Sequence, residues 1–535
     1  MDIEKDELPQ GWAWARLDLA ADINPALNVE ELTGELSVSF VPMPAVEEES
    51  GRLDPANIRP YSEVSKGYTR FQEGDLLFAK ITPCMENGKI AIARNLRNGV
   101  GCGSTEFHVL RPCEGIDVRC LFYFLVRKHF RREAEHKMTG SAGQKRVPVG
   151  FLESADIPIA PSPEQARIAD KIDELFSDID EGERALRKVQ ALLKKHRQAV
   201  LKAAVTGELT CDWRERNGPP AETGATLLTR ILTARRAAWK ADQHAKAKAA
   251  GKVLKGEAWK AKYEEPRAAE PIEELALPAT WAWGSLDQYS TLVTSGSRGW
   301  KEYYSDAGAL FVRAQDIKYD RLELGDVAYV ALPPKCEGLR TRILQHDLLI
   351  TITGANVTKA AMVSTELSEA YVNQHVALVR LAVPQIGKYL HLWTIAEQGG
   401  RKVLLKAAYG AGKPGLNLEN VKDLPVPLPP LDEMLAIIDR VEEEMSKIDA
   451  MEAVVAAELK RSARLRQSIL KAAFTGKLVP QDPTDEPAEA LLARLRETRT
   501  TPVQPKRRGR PPKTTDDALP EPARRRGRPK KVMPA

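Results

Sequence analysis

One stretch of sequence is written twice, and it limits what the chain can fold into. The first copy runs from about Ser162 to Leu209 and ends Leu201-Lys202-Ala203-Ala204-Val205-Thr206-Gly207-Glu208-Leu209. The second runs from about Pro430 to Leu478 and ends Leu470-Lys471-Ala472-Ala473-Phe474-Thr475-Gly476-Lys477-Leu478. Gly207 and Gly476 stand 269 positions apart, whereas solenoid units recur every 20 to 50 residues or so. Two copies of a whole domain are therefore expected. In the first copy Ile168, Ile172, Leu175, Ile179, Gly182, Leu186, Val189, Leu193, His196 and Val200 alternate steps of four and three. That spacing makes one apolar seam, which a partner helix must cover. Ile437, Val441, Met445, Ile448, Val455, Leu459 and Ile469 mark a looser seam in the second. Prolines 161, 163, 429 and 430 precede the helices, and Gly207 and Gly476 stand where C-terminal caps belong. Two helices of about 40 residues, each roughly 60 Å long, could be buried separately in their own domains. Their length favours packing against each other as a rod.

The rest of the repeat surrounds this pair. Leu8-Pro9-Gln10-Gly11-Trp12-Ala13-Trp14 returns as Leu277-Pro278-Ala279-Thr280-Trp281-Ala282-Trp283, a short strand whose indoles anchor each domain. Between start and helix lie two dissimilar segments, 18–150 and 287–415, with shared landmarks. Gly74-Asp75-Leu76-Leu77 matches His346-Asp347-Leu348-Leu349, a strand reached through a turn. Ser104 to Arg111 matches Asn373 to Arg380 as a second strand. An apolar helix follows in each, around 120–135 and 389–408, and then Asp156-Ile157-Pro158 and Asp423-Leu424-Pro425. Strands interleaved with helices predict an α+β chain with two mixed α/β domains. The expected division is 1–160 first α/β domain, 161–212 first long helix, 213–274 helical polar linker, 275–428 second α/β domain, 429–480 second long helix, and 481–535 a short helix and basic tail. The linker is Ala-Lys-rich and carries Trp239 and Trp259. Its run Ala225 to Leu232 echoes Ala488 to Leu495.

Charge is unevenly spread. Of 79 Lys and Arg and 74 Asp and Glu, residues 501–535 hold 11 and 3, leaving 68 against 71 and a net of −3 for the body. Any nucleic-acid surface in the body must be a local patch. Lys506 to Lys513 and Arg524 to Lys531 repeat one basic, proline-containing motif, a composition that predicts disorder. No apolar run is long enough for a membrane, the N-terminus Met1-Asp2-Ile3-Glu4-Lys5-Asp6-Glu7 is not a signal peptide, and six cysteines without a CxxC pair suit a reducing cytoplasm.

Taken in order, these motifs resemble the specificity subunit of type I restriction-modification systems over about residues 8–480. The resemblance implies that each variable segment reads one half of a split, asymmetric double-stranded DNA site, while the two long helices pair as an antiparallel coiled-coil rod that sets the spacing. It implies no catalysis and no cofactor in this chain. S-adenosylmethionine would sit on two methyltransferase subunits, and ATP and Mg on restriction/translocase subunits. Base edges and phosphates call for Arg, Lys, Asn, Gln and Thr on loops. The candidates are Lys80, Thr82, Lys89, Gln144, Lys145 and Arg146 in the first domain, and Arg298, Thr351, Thr353, Asn356, Lys359 and Lys413 in the second. The tail resembles tandem AT-hooks, with Arg508, Gly509, Arg510, Pro511 and Arg526, Gly527, Arg528, Pro529 as minor-groove binders.

Enzyme readings lack their motifs. Gly410-Ala411-Gly412-Lys413 is followed by Pro414 where a phosphate loop needs Ser or Thr. No Asn/Asp-Pro-Pro-Tyr/Phe motif and no paired-histidine metal spacing is present. A fused methyltransferase-nuclease is thereby disfavoured. The alternative is a coiled-coil architectural protein that binds DNA through its AT-hooks without a split site.

Overall fold

The computed structural model describes residues 8–27, 33–141, 143–333, 336, 338–410 and 414–500. The chain divides into two compact units: residues 1–177 with 465–535, and residues 178–464. The units do not follow the linear order of the repeat. Each holds one mixed α/β domain, the start of the long helix that follows it, and the end of the other long helix.

The reason is visible at the helix ends. The second long helix, Leu431–Phe474, closes through Gly476 at φ +65°, with Gly476 N–H donating to the Ala473 carbonyl and Lys477 N–H to that of Ala472. This is a Schellman cap, and glycine supplies the left-handed residue. A Cβ on Gly476 would lie 2.3 Å from Pro9. Gly207, at φ +80° after the first long helix (Ser162–Thr206), sits in the same way against Pro278, 2.7 Å from a built Cβ. Each helix thus ends on the Leu-Pro start of the other copy's domain. The trailing helices repeat this. Ala488 N–H donates to the Gly11 carbonyl, and Gly224 N–H to the Thr280 carbonyl, both at 2.8 Å.

In each domain the Trp-Ala-Trp strand pairs antiparallel with the Asp-x-Pro segment. Trp14 lies opposite Pro158 in one, and Trp283 opposite Pro427 in the other. Proline can serve there because these pairs are two-stranded edges. Two four-stranded sheets follow in each domain. In the first, an antiparallel sheet runs Ala21–Ile23, Phe107–Pro112, Leu76–Ala79, Ile90–Ile92. The other sheet runs Ile58–Pro60, Ser37–Val41, Val100–Gly103, Thr69–Gln72, with a parallel central pair registered Ser39 on Gly101. The second domain repeats both, with Ser290–Ser295, Val376–Leu381, Leu348–Thr351, Ala360–Met362 antiparallel and Leu310 parallel to Ala370. Where one apolar helix was expected per domain there are two: Val118–Leu125 and Lys128–Lys137, and Gly387–Ile395 and Gly400–Ala407. In the second domain the break falls at Gly399-Gly400, both packed under Trp393.

The long helices pack antiparallel within each unit. In the second unit Arg440 bonds Leu209 and Asp212, while Arg197 bonds Asp449 and Glu452, so one numbering falls as the other rises. Leu193, Ile448 and Val455 form its apolar centre. In the first unit Arg466 stacks on Phe176 and Arg167 pairs with Asp485, with the same sense. The seam departs from the expected heptad in one respect. Gly182, Val189 and His196 are exposed or half-exposed, whereas all seven marked positions of the second helix are buried or half-buried.

Candidate nucleic-acid interface

The residues expected to face DNA converge at one edge of each domain. In the first, the strand Leu76–Ala79 ends into Lys80, Ile81 and Thr82. Beside it, Thr139 and Arg146 close a hairpin through mutual backbone hydrogen bonds of 3.0 and 2.8 Å. Thr82 N–H donates to the Lys145 carbonyl and Val147 N–H to the Lys80 carbonyl, at 3.1 and 2.8 Å, so the hairpin is stitched to the strand end. A third segment joins from the other side, where Lys80 N–H donates to the Glu106 carbonyl. Lys80, Thr82 and Gln144-Lys145-Arg146 are therefore brought together. Lys89 stands across the turn, its Nζ 3.3 Å from the Met43 carbonyl. Arg146 is less available than expected: its guanidinium forks onto Glu106 at 2.9 and 2.8 Å, and that pair holds the Glu106 carboxyl below its usual range.

The hairpin is also pinned from beneath. His108 is buried, with Nε2 2.9 Å from the Val147 carbonyl and Nδ1 3.2 Å from the Asn24 amide. Both contacts suit a neutral ring that donates from Nε2 and accepts at Nδ1. Burial pushes its pKa down.

The second domain builds the same edge from different side chains. Tyr409 and Gly415 close the hairpin, Gly354 N–H donates to Pro414, and Ile352 N–H donates to the His375 carbonyl. Thr353, Asn356 and the turn Asn373-Gln374-His375 line a groove of about 530 Å³ with Lys301, Arg313 and Gln315. Arg298 is exposed between groove residues Ser297 and Gly299. Asn356 Nδ2 donates to the Ala314 carbonyl at 3.2 Å, and half-buried Lys359 lies at the base of the turn, where its carbonyl accepts from Thr351 N–H. Thr351 corrects an expectation: it is fully buried within its strand and cannot touch DNA. Strand alternation alone does not show this, because both faces of that strand are covered. Lys413 and all the tail positions, Arg508, Gly509, Arg510, Pro511, Arg526, Gly527, Arg528 and Pro529, lie outside the described residues.

Residues 44–188 match the family model described as type I restriction modification DNA specificity domain. The type I restriction enzyme EcoEI specificity subunit of Escherichia coli is 27% identical over 529 residues, covering 88% of this chain and 83% of its own length. The EcoAI specificity subunit, also of Escherichia coli, is 26% identical over 519 residues with the same coverage. Over most of its length the chain is similar to type I restriction enzyme specificity subunits. A solved structure titled as the basis of complex assembly and conformational transition of the type I R-M system shares the fold. Its TM-score is 0.64 at 17% identity, covering 88% of this chain and 99% of that one.

The motifs shared by the two copies are structural, and this was the part least visible in sequence. Asp75 is buried and takes Arg111 in a two-point pair at 2.8 and 2.9 Å while accepting the Gln72 N–H. Asp347 does the same with Arg380, at 3.0 and 2.7 Å, and accepts the Leu344 N–H. The Gly-Asp-Leu-Leu landmark is thus a turn locked to the neighbouring strand. The groups facing the edge were missed where a strand was expected. Ser104–Glu106 and Asn373–His375 are turns, in which Ser104 Oγ accepts from Glu106 N–H and Asn373 Oδ1 from His375 N–H. Ser and Asn as turn formers were the available signal. Among the described residues no group of three or more His, Cys, Asp or Glu is placed to hold a metal, and no helix is long and apolar enough to cross a membrane.

Proposed function

We propose that this chain is a type I restriction-modification specificity subunit that reads a double-stranded DNA site of two unlike halves separated by an unread gap. One recognition domain takes each half. The observation that carries the reading is the edge built twice on one backbone plan with different side chains. Lys80, Glu106 and the Gln144-Lys145-Arg146 hairpin stand in one domain where Ile352, His375 and the hairpin of Tyr409 and Gly415 stand in the other. Equivalent backbones place the two readers alike, and unlike side chains make the half-sites differ. On one face of the duplex the halves would lie about one helical turn, roughly 34 Å, or a multiple of it, apart.

In this reading the chain docks two methyltransferase subunits, which hold S-adenosylmethionine, and through them restriction/translocase subunits that use ATP and Mg in the cytoplasm. The tail adds an A·T-preferring tether that raises affinity without defining the site. The test is a binding selection on random duplexes, using this chain with its cognate methyltransferase subunit. Two unlike motifs at a fixed gap are expected. Enrichment of A·T-rich DNA alone, abolished when the chain ends at Thr500, would leave the AT-hook architectural reading in its place.

A further inference from the structure

The linker between the copies carries a feature the recognition role does not use. The helix Gly224–Ala249 begins as the counterpart of Ala488–Thr500, with Leu227 and Ile231 buried in the second unit's core. It then runs 26 residues where its counterpart runs 13. It ends in a Schellman cap, with Gly251 at φ +64°, Gly251 N–H on the Lys248 carbonyl and Lys252 N–H on that of Ala247. The chain folds back from there. Trp259 stacks on Trp239 at 5.8 Å and 19°, His244 meets the edge of Trp259 at 5.0 Å, and Tyr263 packs on Trp239 at 5.2 Å. Helix and returning strap are thus held together as one appendage.

Residues 239–262 contain seven lysines against Asp242 and Glu257, in a body whose net charge is −3. Lys246 pairs with Asp242, and Lys260 with Glu257. Lys240, Lys248, Lys252, Lys255 and Lys262 form no ion pair among the described residues, and all but half-buried Lys240 are exposed. Five unneutralised ammonium groups gathered on one ordered appendage fit a polyanion.

We infer that this appendage is a third DNA contact, binding the phosphate backbone of duplex outside the split site. The inference rests on the DNA-reading function proposed above. Its position sets the division of labour. Arg235 at the root of the appendage bonds the Ser290 carbonyl, at the start of strand Ser290–Ser295. The recognition groove opens just past the other end of that strand, about 17 Å away at roughly 3.4 Å per residue. Lysine ammonium groups act as point charges on phosphate and carry no base reading.

The experiment replaces Lys240, Lys248, Lys252, Lys255 and Lys262 together by Gln in the full chain with its methyltransferase subunit. Two probes are used: a duplex just long enough for the selected motif, and one longer by about 20 base pairs on each side. On the long duplex, affinity should fall about tenfold or more and the log–log salt slope should flatten by up to about 4.5, at about 0.9 for each of five phosphates no longer neutralised. On the short duplex both should stay as in the parent chain. Parent-like affinity and slope on the long duplex would overturn the inference, as would a defect confined to assembly with the protein subunit, which would assign the patch to an acidic protein surface. Equal weakening on both probes also overturns it. If no split motif is selected, the recognition reading fails by itself, and a long duplex of mixed sequence still tests the appendage. Trp259→Ala, which frees the strap but keeps every lysine, should weaken the long duplex alone.

Discussion

Glu164 and Glu433 are the same residue 269 positions apart, both buried at the start of a long helix, yet their surroundings differ. Glu433 accepts from the Trp281 indole at 2.9 Å, from Thr210 at 2.8 Å and from Arg214. Glu164 faces the Trp12 indole and keeps one oxygen without a partner among the described residues, so burial raises its pKa. The raised value means the folded chain holds that proton more tightly than the unfolded chain. The stability tied to it is present below the ordinary Glu value and lost as pH rises from there through the raised folded-state value. Glu164→Gln should therefore leave thermal stability at neutral pH equal or higher. Glu433→Gln should lower it by about 2–3 kcal/mol by breaking a buried pair. Equal melting shifts for the two would contradict this account. Gly207→Ala and Gly476→Ala should each cost about 1–3 kcal/mol, read by denaturant unfolding, because both the left-handed φ and the proline contact penalise a Cβ. The glycine caps and the anchoring indoles were legible in the sequence. The buried glutamates were not, since an acidic residue in a first turn usually marks an exposed, dipole-favoured position.

At the level of elements, the duplicated motifs predicted which strands and helices exist, but not which of their residues work. Gly-Asp-Leu-Leu reads as a turn into a strand, and the aspartate's partner lies more than 30 residues on, beyond any local pattern. Asp347→Asn should destabilise the second domain by about 3 kcal/mol, because Arg380 would lose its charged partner. An unfolding midpoint within error of the parent would show the pair to be dispensable. The hairpin closed by Thr139 and Arg146 in the first domain should respond to acid. His108 has a lowered folded-state pKa, so the stability it contributes is present above its ordinary value of 6.5 and is lost as pH falls below it. Amide exchange at Arg146 and Val147 should quicken over that interval, and His108→Gln should remove the dependence. The heptad misled at Val189 and His196 because periodicity records spacing, while burial depends on what the partner helix offers opposite.

For the whole molecule, the twofold repeat and the two α/β domains follow from sequence order alone. The closure of each domain by the other copy's helix does not, because the Gly–Pro contacts join residues from separate copies that no local pattern links. Function divides in a comparable way. Shared residues hold the edges in place, and dissimilar ones face outward, so substitutions at the edges should alter binding without unfolding the chain. Lys145→Ala should reduce the salt slope of DNA binding by about 0.9 while leaving the selected half-site sequence unchanged. A changed half-site would make Lys145 a base reader.

The second unit is one unbroken stretch of chain, residues 178–464, whereas the first is completed only by residues that follow it. A ribosome adding about 5–20 residues per second needs tens of seconds to pass from the first domain to the helix that closes it. Through that interval Phe124 awaits Phe474, and the strand Ala13–Arg16 awaits the helix Ala488–Thr500. The unit made first is finished last, and the half of the molecule most exposed to misassembly during synthesis is the N-terminal one.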